Sequence, residues 1–339
     1  MVSKTFISVF DIRFFAYLFI LIGGKEMVLN IVLLIVGFIL LIKGADVFVE
    51  GASKVATLFH IPMIVIGLTI VAFGTSAPEA AVSIVSSFKG VSGIAIGNII
   101  GSNIANVLLI LGASGMIGSL VVKKNTLYYE IPFVIVISIV LLVLGYFDGN
   151  LTFLDGCILW IFFLGFFVYL YHLIKKGEDT SVDDVPELEE DDRLWKLILM
   201  IILGIGCVVI GSQVTVDAAS EIAKSFGVSD RIIGLTIVSI GTSLPELVTS
   251  VNASFKGKND IAVGNIIGSN IFNILFVLGT SALIAPSGIP FASNFLWDGI
   301  ISIGAILIFM LFIGRDMKLK KYGALMMLLA YFGYMVYIL

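Results

Sequence analysis

Two glutamates carry the strongest chemical signal in this sequence. Glu79 closes the run GTSAPE that begins at Gly74, and Glu246 closes GTSLPE beginning at Gly241. Thr75 and Thr242 each stand four residues before the acid, so on a helix each hydroxyl shares a face with its carboxylate. Pro78 and Pro245 lack a backbone donor and push away the carbonyl four residues back, at Gly74 and Gly241. A break is expected there, and the loosened carbonyls become candidate oxygen ligands. Ser76 and Ser243 lie in the same runs, where a serine can equally bond back to its own helix.

A second pair of runs reads GNIIGSNIAN, Gly97 to Asn106, and GNIIGSNIFN, Gly264 to Asn273. Asn98, Ser102 and Asn106 recur every four residues and make a polar stripe, which Asn265, Ser269 and Asn273 repeat. Hydrogen bonding between helices is the plain alternative use of these groups. Gly97 with Gly101, and Gly264 with Gly268, form ridges that let helices approach closely. All the polar groups collected are oxygen donors, with no His or Cys among them. Hard cations suit such a set and transition metals do not. Calcium takes about six to eight oxygens, and two carboxylates would balance its charge. A pair of protonated glutamates tying helices together is the structural alternative, but it leaves the duplicated runs without a reason.

The surrounding chain must hold these groups in lipid. Of 339 residues, 59% are hydrophobic and only 13% are charged, half the usual quarter. Mean hydropathy is +1.13. This composition excludes a soluble globular domain, a disordered chain and a nucleic-acid binder. The formal net charge of −4 hides nine acids gathered between Glu178 and Asp192. Ten apolar runs are long enough to cross a bilayer: 28–49, 62–88, 94–121, 127–146, 152–173, 194–218, 231–255, 261–285, 295–313 and 322–339. Residues 174–193 form a polar, acidic loop, read as a solvated linker between a first half, 27–173, and a second, 194–339. Residues 1–26 are read as an N-terminal extension, an upstream start or signal-like piece and not an eleventh span. Thirteen Lys and Arg mark one set of loops against four on the other, which places the acidic loop in the cytoplasm and the C-terminus outside.

The two chemical runs belong to one internal repeat. Residues 67–114 match 234–281 without a gap, with about 30 identities over 48 positions. The offset spans five crossings, an odd number, so corresponding helices run in opposite senses. The fold expected is an all-α membrane protein of ten transmembrane helices, built as two inverted five-helix repeats with broken helices at the midplane. Substrate then binds at the repeat interface.

The paired GTSxPE and GNxxGSNxxN runs resemble the α-repeats of the cation/calcium antiporter superfamily, and are most similar to those of prokaryotic sodium/calcium exchangers. The resemblance covers essentially the whole chain from Met27. It implies a sodium/calcium antiporter exporting Ca2+ in exchange for Na+ by alternating access. Glu79 and Glu246 would be carboxylates shared by both ions, and Thr75 and Thr242 would contribute oxygens to calcium. Ala72 and Ser239 would offer backbone carbonyls. Ser76, Ser102, Ser243 and Ser269 would complete sodium sites, with Asn106 and Asn273 flanking the centre. Position 273 departs from the pattern, because several relatives carry Asp there; this site holds two carboxylates, not three. Ser239 stands where the family often has Ala. A proton/calcium antiporter using the same glutamates is the alternative, with H+ as the coupling ion, and a cation channel stands behind it. No nucleophile–base set or nucleotide motif points to an enzyme. No cofactor is expected beyond the transported ions, and no obligate protein partner beyond the lipid bilayer.

Overall fold

A computed structural model describes residues 24–88, 93–176, 188, 192–227, 239–291, 293–314 and 316–338. The chain is almost wholly helical. In order come α1 (Gly24–Leu58), α2 (Met63–Thr75), α3 (Ala77–Phe88), and α4, which runs from Gly93–Ala105 through a π turn to Gly112–Ile117. Next are α5 (Thr126–Asp148), α6 (Phe153–Lys176), α7 (Leu194–Ser225), α8 (Ser239–Thr242) and α9 (Leu244–Phe255). The last three are α10 (Asn259–Ile284), α11 (Ser293–Ile313) and α12 (Lys321–Ile338). Among the described residues eight helices are long and apolar enough to cross a membrane, or nine if the bent pair α2–α3 is one span.

The expected break is present. The α2–α3 pair bends by 51°. Ser76 is the hinge, at φ −81° and ψ 9°. Ser243 separates α8 from α9 with nearly the same angles, φ −90° and ψ 6°. Each hinge lies two residues before the proline, where the helix loses its donor. The opening turn of that second span, 231–238, lies outside the described residues. So do residues 1–23 and most of the acidic loop. The first helix begins at Gly24 rather than after residue 26, and Met27 is buried.

Two helices run beyond the apolar limits read from sequence. The 28–49 run ends at Leu58 in α1, and 194–218 ends at Ser225 in α7. Ion pairs lie on and beside these extra turns. Lys54 bridges Glu50 at 3.3 Å and Asp192 at 3.1 Å, and Asp46 holds Lys256 at 2.5 Å. On α7, Lys224 meets Glu221 at 2.9 Å.

Burial separates core from periphery. In α10 94% of the apolar window is buried, against 22% in α1. Helix α10 is therefore the axis of the bundle. Its glycine ridge allows this: a Cβ at Gly268 would stand 2.7 Å from the Leu68 backbone, and one at Gly264 would stand 3.0 Å from Gly67 Cα. The matching ridge on α4 is looser among the described residues. Gly97 has only Phe295 near it, at 3.7 Å, and Gly101 has nothing within 4 Å. Helices α1 and α7 lie along each other on a different seam. Gly37, Gly44 and Gly51 recur every seven residues and face Thr215, Cys207 and Met200. Leu41, Ala45 and Val208 form a small cluster of their own there.

Two short strand pairs stitch the halves. Leu120–Val121 after α4 pairs antiparallel with Lys318–Leu319 before α12. Asn150–Leu151 after α5 pairs with Ile289–Pro290 before α11.

Candidate cation site

The hinges at Ser76 and Ser243 bring the two acids together in the interior. Glu79 and Glu246 are each 1% exposed. Each is the third residue of the helix that follows its hinge, α3 or α9. The hinge serines serve the opposite repeat. The Ser76 hydroxyl donates to Glu246 Oε1 at 2.7 Å, and the Ser243 hydroxyl donates to Glu79 Oε1 at 3.3 Å. Among the described residues neither glutamate forms an ion pair. The second carboxylate oxygen of each, Oε2, has no hydrogen-bond partner.

Of the other predicted ligands, Ser76, Ser243 and Ser102 reach this pair directly or through one hydroxyl. Thr75 is buried at the end of α2, its hydroxyl 2.9 Å from Asn265 Oδ1 and 3.1 Å from the Val71 carbonyl. Thr242 ends α8 and is half-buried. Ser102 is buried on α4, 3.4 Å from the Ser243 hydroxyl. Ser269 is fully buried on α10 with its hydroxyl unpartnered. Asn106 and Asn273 are buried where α4 and α10 each widen into a π turn, Asn106–Leu111 and Asn273–Leu278. Their amide groups are held across the repeat boundary. Asn106 Nδ2 donates to Asn270 Oδ1 at 2.9 Å, and Asn273 Nδ2 donates to Asn103 Oδ1 at 3.1 Å. This turns the two Oδ1 atoms away from protein partners, and both are unsatisfied.

Backbone carbonyls are less free than the sequence suggests. The Ala72 carbonyl accepts the Ser76 N–H at 3.0 Å. The Gly241 carbonyl, released by Pro245, is taken by the Ser212 hydroxyl of α7 at 2.8 Å. Ser239 opens α8, and its side chain lies outside the described residues.

Four supporting residues escaped the reading of the sequence as ligands or as their holders. Asn103 and Asn270 orient the flanking asparagines. Ser83 accepts from Asn98 Nδ2 at 3.0 Å, and Ser250 accepts from Asn265 Nδ2 at 2.9 Å. Those same amides reach 3.4 Å from the backbone carbonyls of Glu79 and Glu246. The signal was available: all four positions are identical between the two copies of the repeat.

The chemistry of this arrangement is narrow. Among the described residues no three or more His, Cys, Asp or Glu are grouped so as to hold a metal ion. The centre instead sets two carboxylates among neutral hydroxyl and amide oxygens. Unsatisfied buried polar atoms are costly, and acids inside a membrane are retained where they bind or move charge. Such a set of oxygens suits hard cations, in a chain whose helices are long and apolar enough to cross a membrane. The chain belongs to the sodium/calcium exchanger protein family, whose profile matches residues 29–172 and 196–339. This is a family of ion exchangers, not of enzymes. A putative antiporter, CaxA of Alkalimonas amylolytica, is 38% identical over 91% of this chain and 98% of its own. The sodium/calcium exchanger MaX1 of Methanosarcina acetivorans is 31% identical over 91% and 97%. The solved sodium-calcium exchanger NCX_Mj, soaked with 2.5 mM Na+ and 0.1 mM Ca2+, superposes with a TM-score of 0.77 at 32% identity, covering 90% of this chain and 96% of that one.

Proposed function

We propose that this protein exports Ca2+ in exchange for Na+ by alternating access, at a site centred on Glu79 and Glu246. One observation carries the reading: Glu79 Oε2, Glu246 Oε2, Ser269 Oγ, Asn106 Oδ1 and Asn273 Oδ1 are all buried without partners. A cation would satisfy these atoms together. Thr75, Thr242, Ser76, Ser243 and Ser102 add hydroxyl oxygens, and Ala72 and Ser239 add carbonyls. Calcium balances the two carboxylates outright, and sodium ions do so by occupying overlapping oxygens. Either load neutralises the acids, and the neutral site then changes sides.

The architecture proposed is ten transmembrane helices in two inverted halves, with the acidic loop in the cytoplasm and the C-terminus outside. The strand pairs support the two-fold relation of the halves. The 167-residue offset between the repeats carries the Leu120–Val121 strand close to Ile289–Pro290, and Asn150–Leu151 close to Lys318–Leu319. A two-fold operation therefore exchanges the two pairs.

Proteoliposomes with separately imposed sodium and proton gradients test the function. Glu79→Gln and Glu246→Gln are each expected to remove nearly all sodium-driven calcium flux. Wild-type flux in either variant would overturn the site. Calcium movement driven by a pH gradient without sodium would assign proton coupling instead.

A further inference from the structure

Buried hydroxyls continue from each acid toward the end of its helix. On α3, Glu79, Ser83 and Ser87 recur every four residues, and on α9 Glu246, Ser250 and Ser254 repeat the spacing. At about 1.5 Å per residue, each stripe reaches about 12 Å from its acid, most of the half-thickness of a bilayer core of about 30 Å. Both helices end one residue later on an exposed phenylalanine, Phe88 or Phe255. The stripes face the interior. Ser83, Ser87 and Ser250 are fully buried and Ser254 is 8% exposed, whereas Val82 and Val85 on the other side of α3 are exposed.

The outer serines differ from the inner ones. Ser83 and Ser250 accept from Asn98 and Asn265. A serine inside a helix commonly bonds back to the carbonyl four residues before it, as Ser138 does to Val134 at 2.7 Å. Ser87 and Ser254 do neither, and their hydroxyls have no hydrogen-bond partner among the described residues. Other helices bring a second pair. Ser114 lies in the last turns of α4, which pack on α9, and Ser281 lies in the last turns of α10, which pack on α3. Both are fully buried and both lack a partner. They too are equivalent positions of the repeat.

Buried hydroxyls are almost always paired, and leaving one bare costs free energy. Here the cost is borne twice, at equivalent places on the two sides of the centre, so packing alone gives no reason for it.

We propose that Ser87 with Ser281, and Ser254 with Ser114, line two lanes by which cations reach the site from the two faces of the bilayer. This rests on the exchange reading above and on the inverted relation of the halves, which turns equivalent serines toward opposite faces. A hydroxyl offers lone pairs to a cation, so each replaces a water of the shell that the ion must shed, as backbone carbonyls do in potassium channels. Carrying no charge, it attracts the ion without trapping it. All four hydroxyls are shut from the surface in this structure; each lane is closed here and opens as the site changes sides.

Two measurements on the full-length protein test the lanes. Ser87→Ala and Ser254→Ala each remove a hydroxyl that has no partner, so melting should stay as in wild type or rise. Equilibrium calcium binding should also stay unchanged, while sodium-driven calcium flux in liposomes falls about tenfold, the scale of one hydrogen bond to a charged group. Ser87→Cys and Ser254→Cys are made together with Cys157→Ala and Cys207→Ala, so that no other thiol is present. Right-side-out and inverted cell vesicles are treated with a membrane-impermeant methanethiosulfonate ammonium reagent, and the protein is then purified. Intact mass should show each cysteine modified from one side only, and the two from opposite sides. Wild-type flux in either alanine variant, a loss of calcium affinity matching the loss of flux, no modification of either cysteine, or modification of both from the same side would overturn the lanes. Modification is read by mass and needs no transport. It therefore judges the lanes even where Glu79→Gln and Glu246→Gln carry calcium like wild type and the exchange reading falls.

Discussion

At Asn273 the choice of an amide over an acid has two physical consequences. The amide nitrogen donates to Asn103 Oδ1, and an aspartate would set acceptor against acceptor there. An aspartate would also give the centre a third negative charge, so that calcium no longer neutralises it. Asn273→Asp is therefore expected to tighten calcium binding and to slow exchange. Equilibrium calcium binding and liposome flux measured on the same preparation check both signs. Asn103 is a positioning residue for the same group. Asn103→Ala leaves the Asn273 donor buried and unpaired, at about 1–3 kcal/mol. Half-saturation for calcium should rise by about tenfold or more, and Asn103→Gln should recover part of it. The residues of the proposed site stand out in the sequence because they are duplicated and because an acid in a 59% hydrophobic chain is conspicuous. The buried hydrogen bond from the Tyr169 hydroxyl to Glu130 was not legible, because Glu130 belongs to no repeat and no motif. Its partner Tyr169 lies 39 residues away, a contact that no local spacing encodes.

Among the elements, the hinge and the glycine seams decide the geometry. Proline announced the break, but the hinge falls on the serine two residues earlier, so the hydroxyl that turns with it reaches the opposite repeat. The 264/268 ridge is the tightest test of packing. Gly268→Ala places a Cβ 2.7 Å from the Leu68 backbone and should cost about 1–3 kcal/mol, seen as a lower melting temperature. Gly206→Ala, where a Cβ meets nothing within 4 Å, serves as the control and should leave melting unchanged or raise it slightly. The small-residue ridges of the repeat were readable from sequence. The seven-residue glycine seam joining α1 to α7 passed unnoticed, because only tertiary packing reveals which face of an all-apolar helix is covered.

For the whole molecule, the charges that matter outside the membrane gather where α1, α9 and α10 end or begin. Lys258, just before α10, is half-buried, and burial pushes its pKa down from 10.5 to about 8, with Lys256 adding to the effect. Between those two values the unfolded chain holds a proton that the folded protein has lost, so stability rises with pH across that window. Lys258→Gln should flatten the rise of melting temperature between pH 8 and 10 relative to wild type. The mostly helical, membrane-spanning character was legible from hydropathy alone. The ends of α1 and α7 were not, because both helices continue past the apolar runs into polar sequence. The crossed hydrogen bonds, Ser76 to Glu246 and Ser243 to Glu79, reach furthest in their consequence. Each copy keeps the other's acid in place, so a substitution in one is felt in its twin. Neither repeat can lose its hinge serine without loosening the acid of the other.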